Sequence, residues 1–231
     1  YSSYEDKFII GKTRIDQHDY DVLEFSIRNI ETAIIPEFIE IIESYSFNFC
    51  NELQHLEIPT NSKLRIIGEF SFAESSIQSI SIPPHLTIIE NNAFSSCMNL
   101  KKVEIPENSQ LQIIGNDAFS ETPIESISIP LHLTRICAYA FFECKKLRNV
   151  DIQLNSELEV IEKFAFSKSA IENFTVPLHL TTISQKAFWS CANLQKVEIP
   201  PNSKLEVIGE FSFSQTSVES ITIPKSISKI G

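Results

Sequence analysis

The sequence contains no apolar run near the roughly 18 residues that a membrane-spanning helix needs. The stretch "AIIPEFIEII" at 33–42 is short and carries two glutamates, so no membrane span is expected in this segment. Basic residues are the minority: 19 Lys and Arg against 30 Asp and Glu leave a net charge of −11. Such a surface repels phosphate backbones and anionic lipid, which argues against nucleic-acid and membrane-surface binding. Glycine is scarce, at 5 residues, and Gly68, Gly115 and Gly209 stand 47 or 94 positions apart rather than in a phosphate-cradling cluster. They are expected at coil turns, where a positive φ costs glycine little. No G-x-S-x-G nucleophile elbow occurs, and no Ser, His and acid break out of the surrounding pattern as a functional insertion would. The chain starts at Tyr1 rather than Met, so it is processed or an excerpt, and the compartment has to be argued from elsewhere.

What the sequence has is repetition. The phrase "CMNLKKVEIP" at Cys97 returns as "CKKLRNVDIQ" at Cys144 and "CANLQKVEIP" at Cys191, and is preceded by "CNELQHLEIP" at Cys50, always 47 residues apart. Aligned on Ala-Phe or Ser-Phe dipeptides, the chain places Phe47, Phe72, Phe94, Phe119, Phe141, Phe166, Phe188 and Phe213 at intervals alternating between 25 and 22. Two repeat types therefore take turns.

Within each copy a Leu or Ile is followed three positions later by an aliphatic residue and two later by another, usually before Pro, as in Leu100, Val103, Ile105 and Pro106. The spacing of two is that of a half-buried strand, which proline then ends for want of an N–H. A second apolar group, such as Leu111, Ile114, Ala118 and Phe119, returns the chain on the other side of the coil. A unit of 23 or 24 residues cannot bury its own apolar face, so successive units must stack. The expected fold is a β-rich, right-handed leucine-rich-repeat solenoid of about eight coils, with a parallel sheet on one face and the eight phenylalanines forming a ladder inside. Residues 1–29 read as an N-terminal cap and residues 30–231 as a single solenoid domain. The chain stops at "IPKSISKIG", before the next Ala-Phe, which predicts further residues or a fraying tail.

The columns also limit what chemistry is available. Cys50, Cys97, Cys144 and Cys191 recur two coils apart, about 9.5 Å, too far for a disulfide or a shared zinc ion, and read as buried small side chains in the corner after each Phe. Cys137 stands outside this column and could bond Cys144. His85, His132 and His179, each in "HLT", are separated in the same way and read as outer turn residues rather than metal ligands. No catalytic residue, metal site or cofactor is expected. Asn173-Phe174-Thr175 is a glycosylation sequon inside a predicted strand, either by chance or as a glycan site in a secreted chain.

The strand face offers the candidate ligand-facing residues. One outward column runs His55, Ser79, Lys102, Ser126, Asn149, Asn173, Lys196 and Ser220; its neighbour runs Glu57, Ser81, Glu104, Ser128, Asp151, Thr175, Glu198 and Thr222. Alternation of charge with hydroxyl weakens repulsion within the sheet, and this alone could account for the pattern. The same regular polar sheet is also a candidate recognition surface, although it has no Trp, Tyr or Arg of the kind that anchors tight interfaces.

The stretch "LTIIENNAFSSCMNLKKVEIP" at 86–106 resembles the BspA-like, or Treponema-type, leucine-rich repeats of surface proteins in mucosal bacteria and protozoan parasites. The resemblance covers about residues 30 to 231, and the segment from Tyr20 to Cys50 is similar to that of protozoan members. The chain departs from the pattern at Gln153, where Pro is usual, and at Cys137 and Glu162, where Gly is common. The resemblance implies a non-enzymatic protein at the cell surface or outside the cell that adheres to host or matrix protein or glycan ligands. Free buried thiols equally suit a cytoplasmic scaffold of the same fold.

Overall fold

In the computed structural model, residues 1–13 and 19–231 are described. They form a β-solenoid of about nine turns without helix, and five residues of the expected cap, 14–18, lie outside the described part. Each coil up to Lys196–Glu198 has a front strand, as predicted from the "VEIP" phrase, whereas the corresponding residues 220–222 of the last coil form none. The back strands have two residues each, such as Ile66–Ile67, Ile88–Ile89 and Ile113–Ile114. One sheet, of twelve strands, runs the length of the molecule through the back strands. The front strands pair only two by two: Thr32–Ile34 with His55–Glu57, Ser79–Ser81 with Lys102–Glu104, Ser126–Ile129 with Asn149–Ile152, and Asn173–Thr175 with Lys196–Glu198.

Loop length explains the difference. From the back isoleucine to the ladder Phe the distance is five residues in every repeat, as in Ile67 to Phe72 and Ile89 to Phe94. An identical path in each coil lets one hydrogen-bond ladder continue without a break. The three residues by which the repeats differ all fall between Phe and the next back strand, on the limb that carries the front strand. Front strands therefore pair within a 47-residue unit and leave a gap between units.

The core is the expected ladder. Phe47 to Phe188 are fully buried, Phe213 is half-buried, and the rings stack in parallel at centroid spacings of 4.8–5.5 Å. Back-strand residues Ile42, Ile67, Ile89, Ile114, Ile136, Ile161 and Ile183 form a second fully buried column, and Leu64, Leu86, Leu111, Leu133, Leu158, Leu180 and Leu205 a third. At the N-terminal end Ser2–Tyr4 and Phe8–Gly11 form an antiparallel hairpin that joins Val22–Ser26, which in turn pairs in parallel with Ile41–Ile42.

Each ladder Phe is flanked two residues before and two after by a left-handed residue with φ between 52° and 64°, as Phe70 and Glu74 flank Phe72. Glycine is absent from all sixteen positions. The local hydrogen bonds form overlapping turns: Ser71 N–H to Gly68 O, Ala73 N–H to Phe70 O, and Ser75 N–H to Phe72 O. A left-handed third residue is what a type II turn requires. For a side-chain-bearing residue this costs about 1–2 kcal/mol. Cross-coil bonds offset it: the N–H groups of Phe70, Phe72 and Glu74 reach the carbonyls of Asn91, Ala93 and Ser95 at 2.8–3.0 Å.

The glycines correct the sequence expectation, since none has a positive φ. A Cβ on Gly115 would lie 2.7 Å from the Glu90 carbonyl carbon and 2.8 Å from Asn91 N; on Gly209 it would lie 2.4 Å from Gln185 N. Glycine is needed there because the backbone of the preceding coil passes too close for a side chain.

Candidate interaction surface

The front columns point to solvent as predicted: His55, Glu57, Lys102, Glu104, Asn149, Asp151, Asn173, Lys196 and Glu198 are all exposed. Pairing organises part of them. Lys102 Nζ lies 2.5 Å from Glu104 Oε1, and the Ser81 hydroxyl donates to Glu104 Oε2 at 2.7 Å. Lys196 and Glu198 repeat the 2.5 Å contact 94 residues later, with Thr175 donating at 3.4 Å. Hydrogen bonds from the lysines first, then from Ser81 to Glu104 and from charge attraction, hold both carboxyls below the usual range. Each lysine is thus engaged with a glutamate on its own strand.

The gaps between front-strand pairs open shallow grooves. One, of about 480 Å³, has Ile82, Val103 and Ile105 on its floor and Lys102, Ser126 and Ser128 at its rim. Its counterparts lie between Asn149–Ile152 and Asn173–Thr175, at about 290 Å³, and between Lys196–Pro200 and Ser220–Thr222, at about 570 Å³. The groove therefore recurs with the 47-residue unit, with a Lys–Glu pair in two copies and Asn149 with Asp151 in the copy between them.

Cysteine chemistry is quiet. All five cysteines are free; Cys50, Cys97, Cys144 and Cys191 are fully buried, and Cys137 is half-buried. Ser75, Thr122 and Ser169 alternate with them in one column, 3.3–3.5 Å from the following sulfur. The thiols of Cys97, Cys144 and Cys191 donate to the carbonyls of Phe72, Phe119 and Phe166 at 3.0–3.1 Å. They are hydrogen-bonded corner residues, more than the apolar fillers expected. Burial pushes Cys97 and Cys144 up to about 12 and Cys191 to about 11. Burial, with the Glu162 charge beside it, also lifts Cys137 to about 11.

The histidine column lies on the outside. His85 is exposed, His132 Nδ1 is 3.2 Å from Glu157, and His179 Nδ1 is 3.0 Å from the Ser156 carbonyl. Among the described residues no three His, Cys, Asp or Glu side chains converge on one point that could hold a metal ion.

Sequence reasoning did not single out the corner beside the ladder. The left-handed position two residues before each Phe holds Tyr45, Phe70, Asn92, Asp117, Tyr139, Phe164, Lys186 and Phe211. Tyr45 stacks on Phe70 at 5.2 Å and Tyr139 on Phe164 at 4.8 Å. The recurrence of aromatics at this offset was the available signal.

Comparisons with known proteins fit this geometry. Over its whole length the chain is similar to a leucine-rich repeat protein from Bacteroides ovatus, with 26% identity and a TM-score of 0.81, and spans 61% of that protein. The Treponema pallidum leucine-rich repeat protein matches 86% of the chain, with 82% of its own length covered, at 19% identity and a TM-score of 0.64. Comparison with curated proteins finds no match. The profile of the BspA type leucine-rich repeat region matches residues 23–130 and 112–231, in six copies. The chain belongs to the BspA-type leucine-rich repeat family.

Proposed function

We propose that the protein is a non-catalytic interaction and adhesion module, displayed on a cell surface or secreted, that binds protein or glycan ligands through its front face. The observation that carries this reading is the recurrence of one groove three times along the molecule, each with an apolar floor and an exposed polar rim. A repeated shallow site suits weak contacts summed by multivalency. In this reading residues 1–29 act as the cap and 30–231 as the working solenoid; the antiparallel hairpin of Ser2–Tyr4 and Phe8–Gly11 suits a cap, while Val22 and Leu23 already pair in parallel with Ile41 and Ile42 of the stack.

The rival reading is a cytoplasmic scaffold, favoured by five free thiols. Its weight falls because the thiols of Cys97, Cys137, Cys144 and Cys191, raised to about 11–12, carry little thiolate at neutral pH and resist oxidation. Labelling of intact cells with a membrane-impermeant reagent separates the two. In a glycosylating secretory route a glycan on Asn173 would cover the middle groove, and intact-mass measurement on native material reads it directly.

The test of the front face is the double variant Lys102→Glu, Lys196→Glu. Each change replaces an ion pair with two adjacent carboxylates at equivalent grooves. Binding to cells or matrix should fall while the circular dichroism spectrum is retained; undiminished binding would remove the front face from consideration.

A further inference from the structure

The corner face carries a second surface that the front-face reading does not use. In four consecutive coils the left-handed position holds Tyr139, Phe164, Lys186 and Phe211. Tyr139 and Phe164 stack at 4.8 Å, and Lys186 Nζ takes the next place in the column, 5.4 Å from the Phe164 ring and 5.8 Å from Phe211. Trp189, the single tryptophan of the chain, closes the site with its ring 5.7 Å from the same ammonium. Stacking along the column covers ring faces and turns ring edges outward, and edges carry the positive end of the aromatic quadrupole. Phe211 is 59% exposed, and Phe164, Lys186 and Trp189 are half-buried.

Charge separates Lys186 from its neighbours. Lys168 lies over Phe142 and close to Trp189, but its ammonium is 2.6 Å from Glu143. Arg135 is likewise 2.6 Å from Glu162. No carboxylate lies within ion-pairing distance of Lys186 among the described residues, and its ammonium makes no hydrogen bond there, in a chain of net charge −11. Trp189 is of the residue types that anchor interfaces, and beside it stands a cation with unspent donors, a combination that the front columns lack.

We propose that this strip receives an acidic segment of a partner protein: Lys186 Nζ takes a carboxylate, and Trp189 and Phe211 pack against apolar side chains beside it. A polyanionic glycan fits less well. It would bring regularly spaced charges along a column that offers one unpaired cation with Glu143, Glu162 and Glu210 nearby.

Trp189 is its own reporter. Its emission would be titrated with acetyl-Leu-Glu-Leu-Glu-Leu-amide and with the same peptide carrying Gln for Glu, both free of aromatic residues. The expected result is saturable binding of the Glu peptide, at least about tenfold tighter than the Gln peptide. Lys186→Met should abolish that preference with the thermal transition retained, and Lys186→Arg should keep it. Equal binding of the Gln peptide, or no saturation by about 10 mM, overturns the proposal. So does an equal or stronger response to hyaluronate at matched carboxylate concentration, which would assign the strip to a polyanion. Emission and sedimentation mass that change with protein concentration alone would assign it to a second copy of the chain. The readout is independent of the front face, so failure of the Lys102 and Lys196 variant leaves it untouched.

Discussion

Replacing Phe119 with alanine perturbs the centre of the ladder. The ring is fully buried and stacked on both sides, 5.2 Å from Phe94 and 5.5 Å from Phe141. Truncating a buried Phe costs about 3–5 kcal/mol. Losing two ring contacts worth on the order of 1 kcal/mol each puts this site in the upper part of that range. Phe213 supplies the contrast, since it is half-buried and has one ladder neighbour, Phe188 at 5.3 Å. Phe213→Ala should therefore cost about half as much. In a solenoid, stability is close to a sum of coil and nearest-neighbour terms, so weakening a central coil also uncouples the two halves. Urea titration followed by far-ultraviolet circular dichroism and by Trp189 emission should give one midpoint in the parent and two in Phe119→Ala, because Trp189 reports only the C-terminal half. A loss below about 1 kcal/mol at Phe119, or equal losses at both sites, would refute the reasoning.

Three further outcomes are expected. Gly115→Ala should destabilise by about 1–3 kcal/mol, and Gly115→Asn should be no better, because the obstacle is the Glu90 backbone at 2.7 Å rather than a left-handed φ; rescue by Asn would contradict this. Ser96 has φ 55° with no ring neighbour, so Ser96→Gly should stabilise by up to about 1 kcal/mol, whereas Phe164→Gly should destabilise through loss of its stack on Tyr139, both read from thermal melts. The thiols of Cys97, Cys144 and Cys191 have folded pKa values raised from 9.0 to about 11–12, so their contribution is complete below pH 9 and is lost as pH rises towards those values. Between pH 9 and about 10.5 each should remove on the order of 1 kcal/mol per pH unit, and urea titrations of the triple Cys→Ala variant should show a flatter decline.

The columns were legible because periodicity fixes them: the Phe ladder, the buried cysteines and the outward front residues all follow from stacking like on like. The continuous sheet was harder to read, because two-residue strands such as Ile66–Ile67 are too short to show alternation. The constant five residues from Ile67 to Phe72 against the varying path through Lys102–Glu104 held that information. Left-handed residues at Phe70, Glu74 or Lys168 could not be foreseen from residue type, since cross-coil hydrogen bonds override the preference for Gly or Asn. Gly115 looked like a turn glycine for the same reason: close approach between coils is a tertiary fact. The Lys186 strip escaped because attention to strand alternation passes over a corner, although Tyr139, Phe164 and Phe211 share one offset from the ladder.

Distances along the stack test the architecture most directly. Glu74, Glu121 and Gln215 occupy one exposed or solvent-facing corner position in the second, fourth and eighth coils. Spin labels at these sites, in a background with Cys137 changed to Ser, measure the rise per coil by pulsed dipolar spectroscopy. Six coils at about 4.8 Å each separate positions 74 and 215 by about 30 Å, and four coils separate 121 and 215 by about 20 Å, both as narrow distributions. Broad distributions, or a 74–215 separation no longer than the 121–215 one, would mean that the coils do not pile in register.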